Sequence, residues 1–296
     1  MQRALGMLLV IVSAAGFGTL AIFGAFALAD GMDSLTILFL RFFLSSLFMV
    51  AWMLLQRRSL PRGRVLAMLV GMGAIGYVGT AFCYFSALEY ASPGLVALLL
   101  YLYPVIVVVL SALFFHERMT PSKLAALALA MAGIALTVGP AGGQLPGVII
   151  ATIAATIFAV YILVGARVLR EAPAMQSSTV IFVAAAAMSG LLMAVHGARW
   201  PESATGWAAV AGIVVLATLA PMVGFLAGLE RVGATNAAML STVEPVVTVL
   251  LAALLLDEMP QPSMLLGGAL ILVAVLLLAR GEMRRPAASA RLTGAE

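Results

Sequence analysis

Charge is what this 296-residue sequence has least of. Only 9% of its residues are Asp, Glu, Lys or Arg, while 64% are hydrophobic. A soluble domain carries about 25% charged residues, so this chain has too little polar surface to stay in water once folded. That argues against a soluble enzyme and a disordered module. It also argues against a nucleic-acid binder, because the net charge is only +4 and the 16 basic residues are dispersed. Cysteine is nearly absent as well. The lone Cys83 forbids an intrachain disulfide and a cysteine-rich metal site, and within an apolar run it reads as a small packing residue. There is no His-Glu-x-x-His, no acidic pair within an apolar run and no Gly-Lys-Ser/Thr nucleotide loop, and His116 and His196 fall at run ends. Neither an enzyme nor a cofactor is expected.

What is present is a series of long apolar runs. A bilayer-spanning helix needs about 20 mostly apolar residues. The 26 residues between Arg3 and Asp30 carry no charge, and the run at about 35–55 is interrupted only by Arg41. Two more runs lie between Arg64 and Glu89 and between Glu89 and His116. The 43 uncharged residues from Leu124 to Ala166 are too long for one helix, and the Gly139–Pro146 segment divides them. Further runs fall at about 177–195, 207–229, 233–256 and 263–279. The expectation is an all-α integral membrane protein with ten transmembrane helices. The first run exceeds the length of a signal-peptide apolar region and is read as helix one.

Loop charge sets the orientation. With ten spans, 14 of the basic residues share one side with both termini, Arg199 stands on the other, and Arg41 lies within the membrane. By the positive-inside rule both termini are cytoplasmic, in the inner membrane.

The sequence also repeats itself. A shift of 141 residues carries Leu88-Glu89 onto Leu229-Glu230, Pro104-Val105 onto Pro245-Val246, Glu117 onto Glu258 and Pro121-Ser122 onto Pro262-Ser263. Residues 88–122 contain 13 identities in 35 positions at that shift, and the matched Glu and Pro positions exceed what apolar bias produces. The predicted units are a five-helix repeat over 1–143, a second over 144–281, and a polar, disordered cytoplasmic tail over 282–296. Five is odd, so the second unit crosses the membrane in the opposite sense. Inverted repeats of this kind build many secondary transporters, with the substrate near the midplane between halves.

Glu244-Pro245 followed by the apolar stretch to Asp257-Glu258 resembles the Glu-Pro…Glu segment of EamA-type members of the drug/metabolite transporter superfamily. Tyr103-Pro104 through Glu117 is its first-half counterpart, and the segment Tyr101-Leu102-Tyr103-Pro104 looks most like the YddG-type amino-acid exporters. The resemblance spans residues 4–280. It implies export or exchange of small metabolites, amino acids foremost, by alternating access around a central cavity. The partners it implies are a small-molecule substrate and the lipid bilayer, with protons as a candidate coupling ion and a monomer as a compatible state. A passive channel-like facilitator or a membrane sensor with the same fold is the alternative.

Two charges lie within spans. Arg41 sits about 10 Å below the outer surface, and Glu244 sits about eight residues in from the cytoplasmic side. Buried charges at such depth face a cavity or a partner. For Arg41 the readings are snorkelling to the outer mouth or binding a substrate carboxylate, both favoured over a direct pair with Glu244. For Glu244 they are proton carrier, ligand for an amino group, or structural acceptor. Tyr77, Tyr101, Tyr103, Phe158 and Tyr161 lie inside spans, away from the interfaces where aromatic belts form, and line the candidate cavity. Ser241 and Thr242 add polar groups. Pro104 and Pro245 are expected mid-helix as kinks, with Pro221, Gly79 and Gly224 as further hinge or gating positions. Gly71, Gly73, Gly76 and Gly79 crowd one helix, where small residues let neighbours approach.

Overall fold

The computed structural model describes residues 2–115, 120–138, 145–168, 171–232, 240–241, 243–257 and 259–283. The segments 116–119, 139–144, 169–170 and 233–239, Thr242, Glu258 and the tail from 284 lie outside the described residues. With them go most of the expected Gly139–Pro146 divider and nearly all of the predicted tail. Among the described residues every regular element is helical.

The first apolar run folds as α1 (Gln2–Gly18) and α2 (Leu20–Ala29), separated at Thr19, and α3 (Ser34–Leu55) returns. The Asp33 side chain caps α3 by accepting the Thr36 N–H at 2.9 Å, which satisfies one of the donors that a helix start leaves free. The third run is one continuous rod containing α4 (Gly63–Gly71), a π-helical stretch (Met72–Tyr77) and α5 (Val78–Leu88). The fourth divides into α6 (Pro93–Leu100), capped by Ser92 with Pro93 in its first turn, and α7 (Tyr103–Phe115). There follow α8 (Pro121–Val138), α9 (Leu145–Val168) and α10 (Ala174–His196). Next is a second rod of α11 (Ala204–Val214), a π stretch (Val215–Leu219) and α12 (Ala220–Val232). The last two helices are α13 (Val243–Leu255) and α14 (Pro262–Met283).

Seven helical stretches are long and apolar enough to cross a membrane, and three shorter apolar ones accompany them. Their outer faces carry exposed Leu54, Leu55, Ile75, Leu191 and Leu254. Such a surface is stable in hydrocarbon and not in water. The buried side is a single large cluster that includes Leu38, Phe42, Phe85, Leu99 and Ile271.

The packing follows the repeat. Helix α3 lies along α10 and α8 along α14, each pairing an element with its own counterpart at the 141-residue shift. Helix α1 packs on α12, and its counterpart α9 packs on α5, the counterpart of α12. Exchange of the two halves therefore maps these principal contacts onto themselves. Both third-position rods carry a π stretch, at 72–77 and 215–219, close to the same shift. Close approach has a visible device in Gly73, where an added Cβ would collide with the Ile181 carbonyl of α10. Gly76 is similarly tight against Tyr161, whereas Gly71 and Gly79 have room for a side chain.

Candidate functional site

Two helix breaks build the site. The fourth run stops at Leu100, with the Tyr101 N–H donating to Ala97 and the Leu102 N–H to Leu99, and restarts at Tyr103. Pro104 is therefore the second residue of α7, and Pro245 is the third residue of α13. A first-turn proline lacks an N–H that would have had no intrahelical acceptor. This corrects the expectation of mid-helix kinks: the chain is interrupted ahead of each proline and starts a fresh helix. The expected site residue Thr242 lies outside the described residues.

The breaks meet across the molecule. The Tyr101 hydroxyl donates within 2.6 Å of the Ser241 carbonyl and 2.9 Å of Glu244 Oε2. Tyr101 itself is buried, so it is a brace between the broken helices and not an open wall. Glu244 lies in the first turn of α13, where the helix N-terminus favours negative charge. On its other side is the break in the first run. The Thr248 hydroxyl donates to the Gly18 carbonyl at 2.9 Å, and a Cβ on Gly18 would stand 2.8 Å from the Glu244 carbonyl.

From Glu244 a file of rings runs through the protein. Tyr101 meets Tyr103 edge-on at 6.0 Å between centroids, and Tyr103 meets Phe158 edge-on at 4.8 Å. Phe158 stacks on Tyr161 at 5.8 Å, and Tyr161 on Tyr77 at 5.9 Å. Tyr77 then contacts Phe182 at 5.9 Å and Phe42 at 5.1 Å. These separations lie in the favourable range for aromatic pairs. All five rings expected from the sequence belong to this file, and Tyr77, Tyr103, Phe158 and Tyr161 are only half-buried.

Arg41 terminates the far end. Its Nε donates to Thr218 Oγ1 at 3.1 Å and its Nη2 to the Tyr77 hydroxyl at 3.3 Å. The guanidinium carbon stands 5.3 Å from the Phe42 ring centre and 5.8 Å from that of Tyr77. Arg41 is 4% exposed, so it does not snorkel. It bonds Thr218 and Tyr77 while Glu244 bonds Tyr101, so among these hydrogen bonds the two charges do not pair directly. Thr218 and Tyr77 are counterparts at the 141-residue shift, as are Phe182 and Arg41. The π stretches bring this about: Tyr77 ends one and Thr218 lies in the other. Thr218 in turn donates at 2.7 Å to the Ile213 carbonyl, five residues back.

Of the other expected gating positions, Pro221 follows the second π stretch, and its carbonyl accepts the Ser13 hydroxyl at 2.5 Å. A Cβ on Gly16 of α1 would meet the Pro221 ring at 2.6 Å. Gly224 and Gly79 have ordinary clearance, so packing alone does not demand glycine there. Sequence reasoning missed Thr218, Phe182, Phe42, Thr248 and Gly18. The 141-residue shift applied to Arg41 and Tyr77 points to the first two; no comparable signal marks the others. Among the described residues no group of three or more His, Cys, Asp or Glu side chains comes together to hold a metal.

Both halves of the chain are similar to known proteins. Residues 4–139 and 145–280 each match the EamA-like transporter family, and the two segments begin 141 residues apart. A relative from Ancylobacter novellus named aromatic amino acid exporter YddG is 29% identical over 220 residues, covering 70% of this chain and 76% of the relative. A probable terminal-alkyne amino-acid exporter of Streptantibioticus cattleyicolor is 30% identical over 237 residues, covering 76% of this chain and 77% of its own. An uncharacterized transporter of Archaeoglobus fulgidus is 28% identical over 274 residues, covering 90% and 94%. A solved crystal structure superimposes over 95% of this chain and 99% of its own, with a TM-score of 0.65 and 24% identity, which establishes likeness of fold.

Proposed function

The chain belongs to the EamA-like transporter family, and on that premise we propose that it is a secondary transporter exporting or exchanging small metabolites, amino acids foremost, by alternating access. The observation that carries the reading is the ring file between Glu244 and Arg41, built from both halves. Its half-buried rings touch one another between helices, and their remaining exposure is read here as the wall of a central cleft. Such a wall suits a solute with an apolar body and a polar handle.

The seven long and three shorter apolar helices are read as ten spans in two inverted units, 1–143 and 144–281, with both termini cytoplasmic in the inner membrane. In that orientation the loop after α2 and the loop after α10 face outward. They are tied together: Asp30 accepts the N–H groups of Glu202 at 2.9 Å and Ser203 at 3.3 Å and the Ser203 hydroxyl, while Asp33 accepts the Arg199 N–H at 3.1 Å. Ser34 adds a bond to Glu89 at 3.1 Å. This conformation is thus read as closed on the outside. The broken helices beside Glu244 and the π stretches beside Arg41 are the natural bending points, with Glu244 as the candidate proton carrier.

The test is a counterflow screen of amino acids in proteoliposomes. Saturable uptake accelerated by internal substrate is expected; linear, non-exchangeable flux ends the carrier reading. In Glu244→Gln, transport should no longer respond to an imposed proton gradient. An unchanged response removes Glu244 as the carrier.

A further inference from the structure

Four arginines crowd the link between α3 and α4. Arg57, Arg58, Arg62 and Arg64 are all exposed. Set them aside from the chain's 16 basic residues and the remaining 12 balance its 12 acidic ones. The net charge of the protein therefore resides in this one link. Nothing on the two flanking elements offsets it. The sequence has no Asp or Glu between Asp33 and Glu89, and those two stand at the far ends of α3 and of the following rod, about 30–40 Å away at 1.5 Å per residue. Among the described residues none of the four arginines forms an ion pair.

Helix chemistry accounts for them only in part. A helix C-terminus favours cations, which suits Arg57 and Arg58 at the end of α3. The Arg57 N–H donates to the Leu54 carbonyl and the Arg58 N–H to the Met53 carbonyl, each at 3.1 Å, closing a Schellman turn. That turn holds Arg57 at φ 49°, in the left-handed region that favours glycine. Helix α10, the counterpart of α3, ends instead on a left-handed glycine, Gly197 at φ 89°. Arg62 and Arg64 stand at the start of α4, where the helix dipole disfavours cations.

The surface beside them is apolar. Trp52, Leu54 and Leu55 in the last turn of α3 and Leu60 in the link are exposed, and Trp52 stacks on exposed Phe48 at 6.4 Å between centroids. An apolar collar that gives way to arginines within a few residues has the layering of a bilayer surface, with Trp52 at headgroup level. A soluble anion would meet the guanidinium groups and leave the collar bare. A phospholipid covers both, with acyl chains on the collar and its phosphate at the arginines, whose planar forks match phosphate oxygens. We propose that the link between α3 and α4 is a binding site for the headgroups of anionic phospholipids. It joins the helix that carries Arg41 to the rod that carries Tyr77, so a bound headgroup steadies both partners of that hydrogen bond. The site needs only a bilayer around the chain and holds whatever the transported solute.

The experiment follows the Tm of the full chain in neutral detergent as phosphatidylglycerol or phosphatidylcholine is titrated, which gives an apparent Kd for each lipid. Phosphatidylglycerol should bind more tightly by at least about tenfold. Gln at both Arg57 and Arg58, or at both Arg62 and Arg64, should weaken it by about tenfold to thirtyfold, and Gln at all four by roughly a hundredfold or more. Phosphatidylcholine should bind the variants as it binds wild type. Arg199→Gln, which removes a charge from the loop after α10, should leave the preference intact. If the fourfold variant fails to fold, wild type in about 0.5 M salt serves, because exposed charges are then screened and the preference should shrink. The proposal is overturned if the two lipids act alike on wild type, if the Gln variants or high salt leave the preference whole, or if Arg199→Gln abolishes it. Inorganic phosphate that raises Tm as far as phosphatidylglycerol overturns the lipid as occupant.

Discussion

The two halves of this protein share a frame and differ in chemistry. Each places a π stretch in its third rod, and each starts a new helix within two residues of a proline, at Pro104 and Pro245. On that common frame Arg41 stands opposite Phe182, Tyr77 opposite Thr218, and Tyr103 opposite Glu244. Each half contributes one charge within an apolar run, at a position where the other half has a ring. The π stretches and the helix starts beside the prolines are shared by both halves, whereas the charged and aromatic side chains of the site are not. A charge within a membrane is costly. Doubling each would set like charges near one another across the pseudo-symmetry axis, which explains why only one copy of each is present.

The sharpest way to break the comparison is to make the halves alike. Phe182→Arg puts a second guanidinium beside Tyr77 and Arg41, and a loss of about 3 kcal/mol or more is expected, read as a lower Tm in detergent. Combining it with Arg41→Phe moves the single charge to the other half and should recover most of that loss. If the double variant is no better than Phe182→Arg alone, the two positions are not interchangeable.

A smaller asymmetry concerns Gly73, whose counterpart Val214 is buried and well accommodated. Gly73→Val would press on the Ile181 carbonyl, a backbone atom with little freedom to move. A destabilisation of about 1–3 kcal/mol is expected, measured by thermal unfolding. A Tm unchanged from wild type would show that the contact between the first π stretch and α10 can open without penalty.

The smallest effect is at the tie between the loops after α2 and α10, where Asp30 accepts from neutral groups among the described residues. The Ser203 hydroxyl, joined by the Ser203 and Glu202 N–H groups, holds the Asp30 carboxyl below its ordinary value of 3.8 against the opposing effect of desolvation. A group depressed on folding contributes stability above its unfolded value, and that contribution fades as pH falls through the lower native value. Asp30→Asn should leave Tm slightly lower at neutral pH and remove this part of the acid-side decline. Identical Tm–pH curves for the two chains would mean that the tie adds nothing to stability.

How far each feature could be read in advance follows the range of the physics behind it. The apolar runs and the 141-residue repeat were visible because they depend on composition and position along the chain. The rings Tyr77, Tyr101, Tyr103, Phe158 and Tyr161 stood out because aromatics far from a bilayer interface are unusual. The role of Tyr101 did not, since its acceptors lie 140 and 143 residues away. Nor did the true effect of Pro104 and Pro245. A proline fixes its own φ and removes a donor, and whether the helix kinks through it or stops ahead of it depends on what can satisfy the carbonyls left behind.

By itself, then, the sequence determined that this is a membrane-embedded, all-helical chain of two related halves with two charges at depth. Hydrophobicity adds up locally, and a duplication leaves matched residues at a constant spacing. Only the tertiary structure decided that Glu244 bonds Tyr101, that a file of touching rings leads from there to Arg41, and that two π stretches deliver the partners of Arg41. Those partners come from helices far apart in the chain, and a hydrogen bond forms only where packing brings donor and acceptor within about 3 Å.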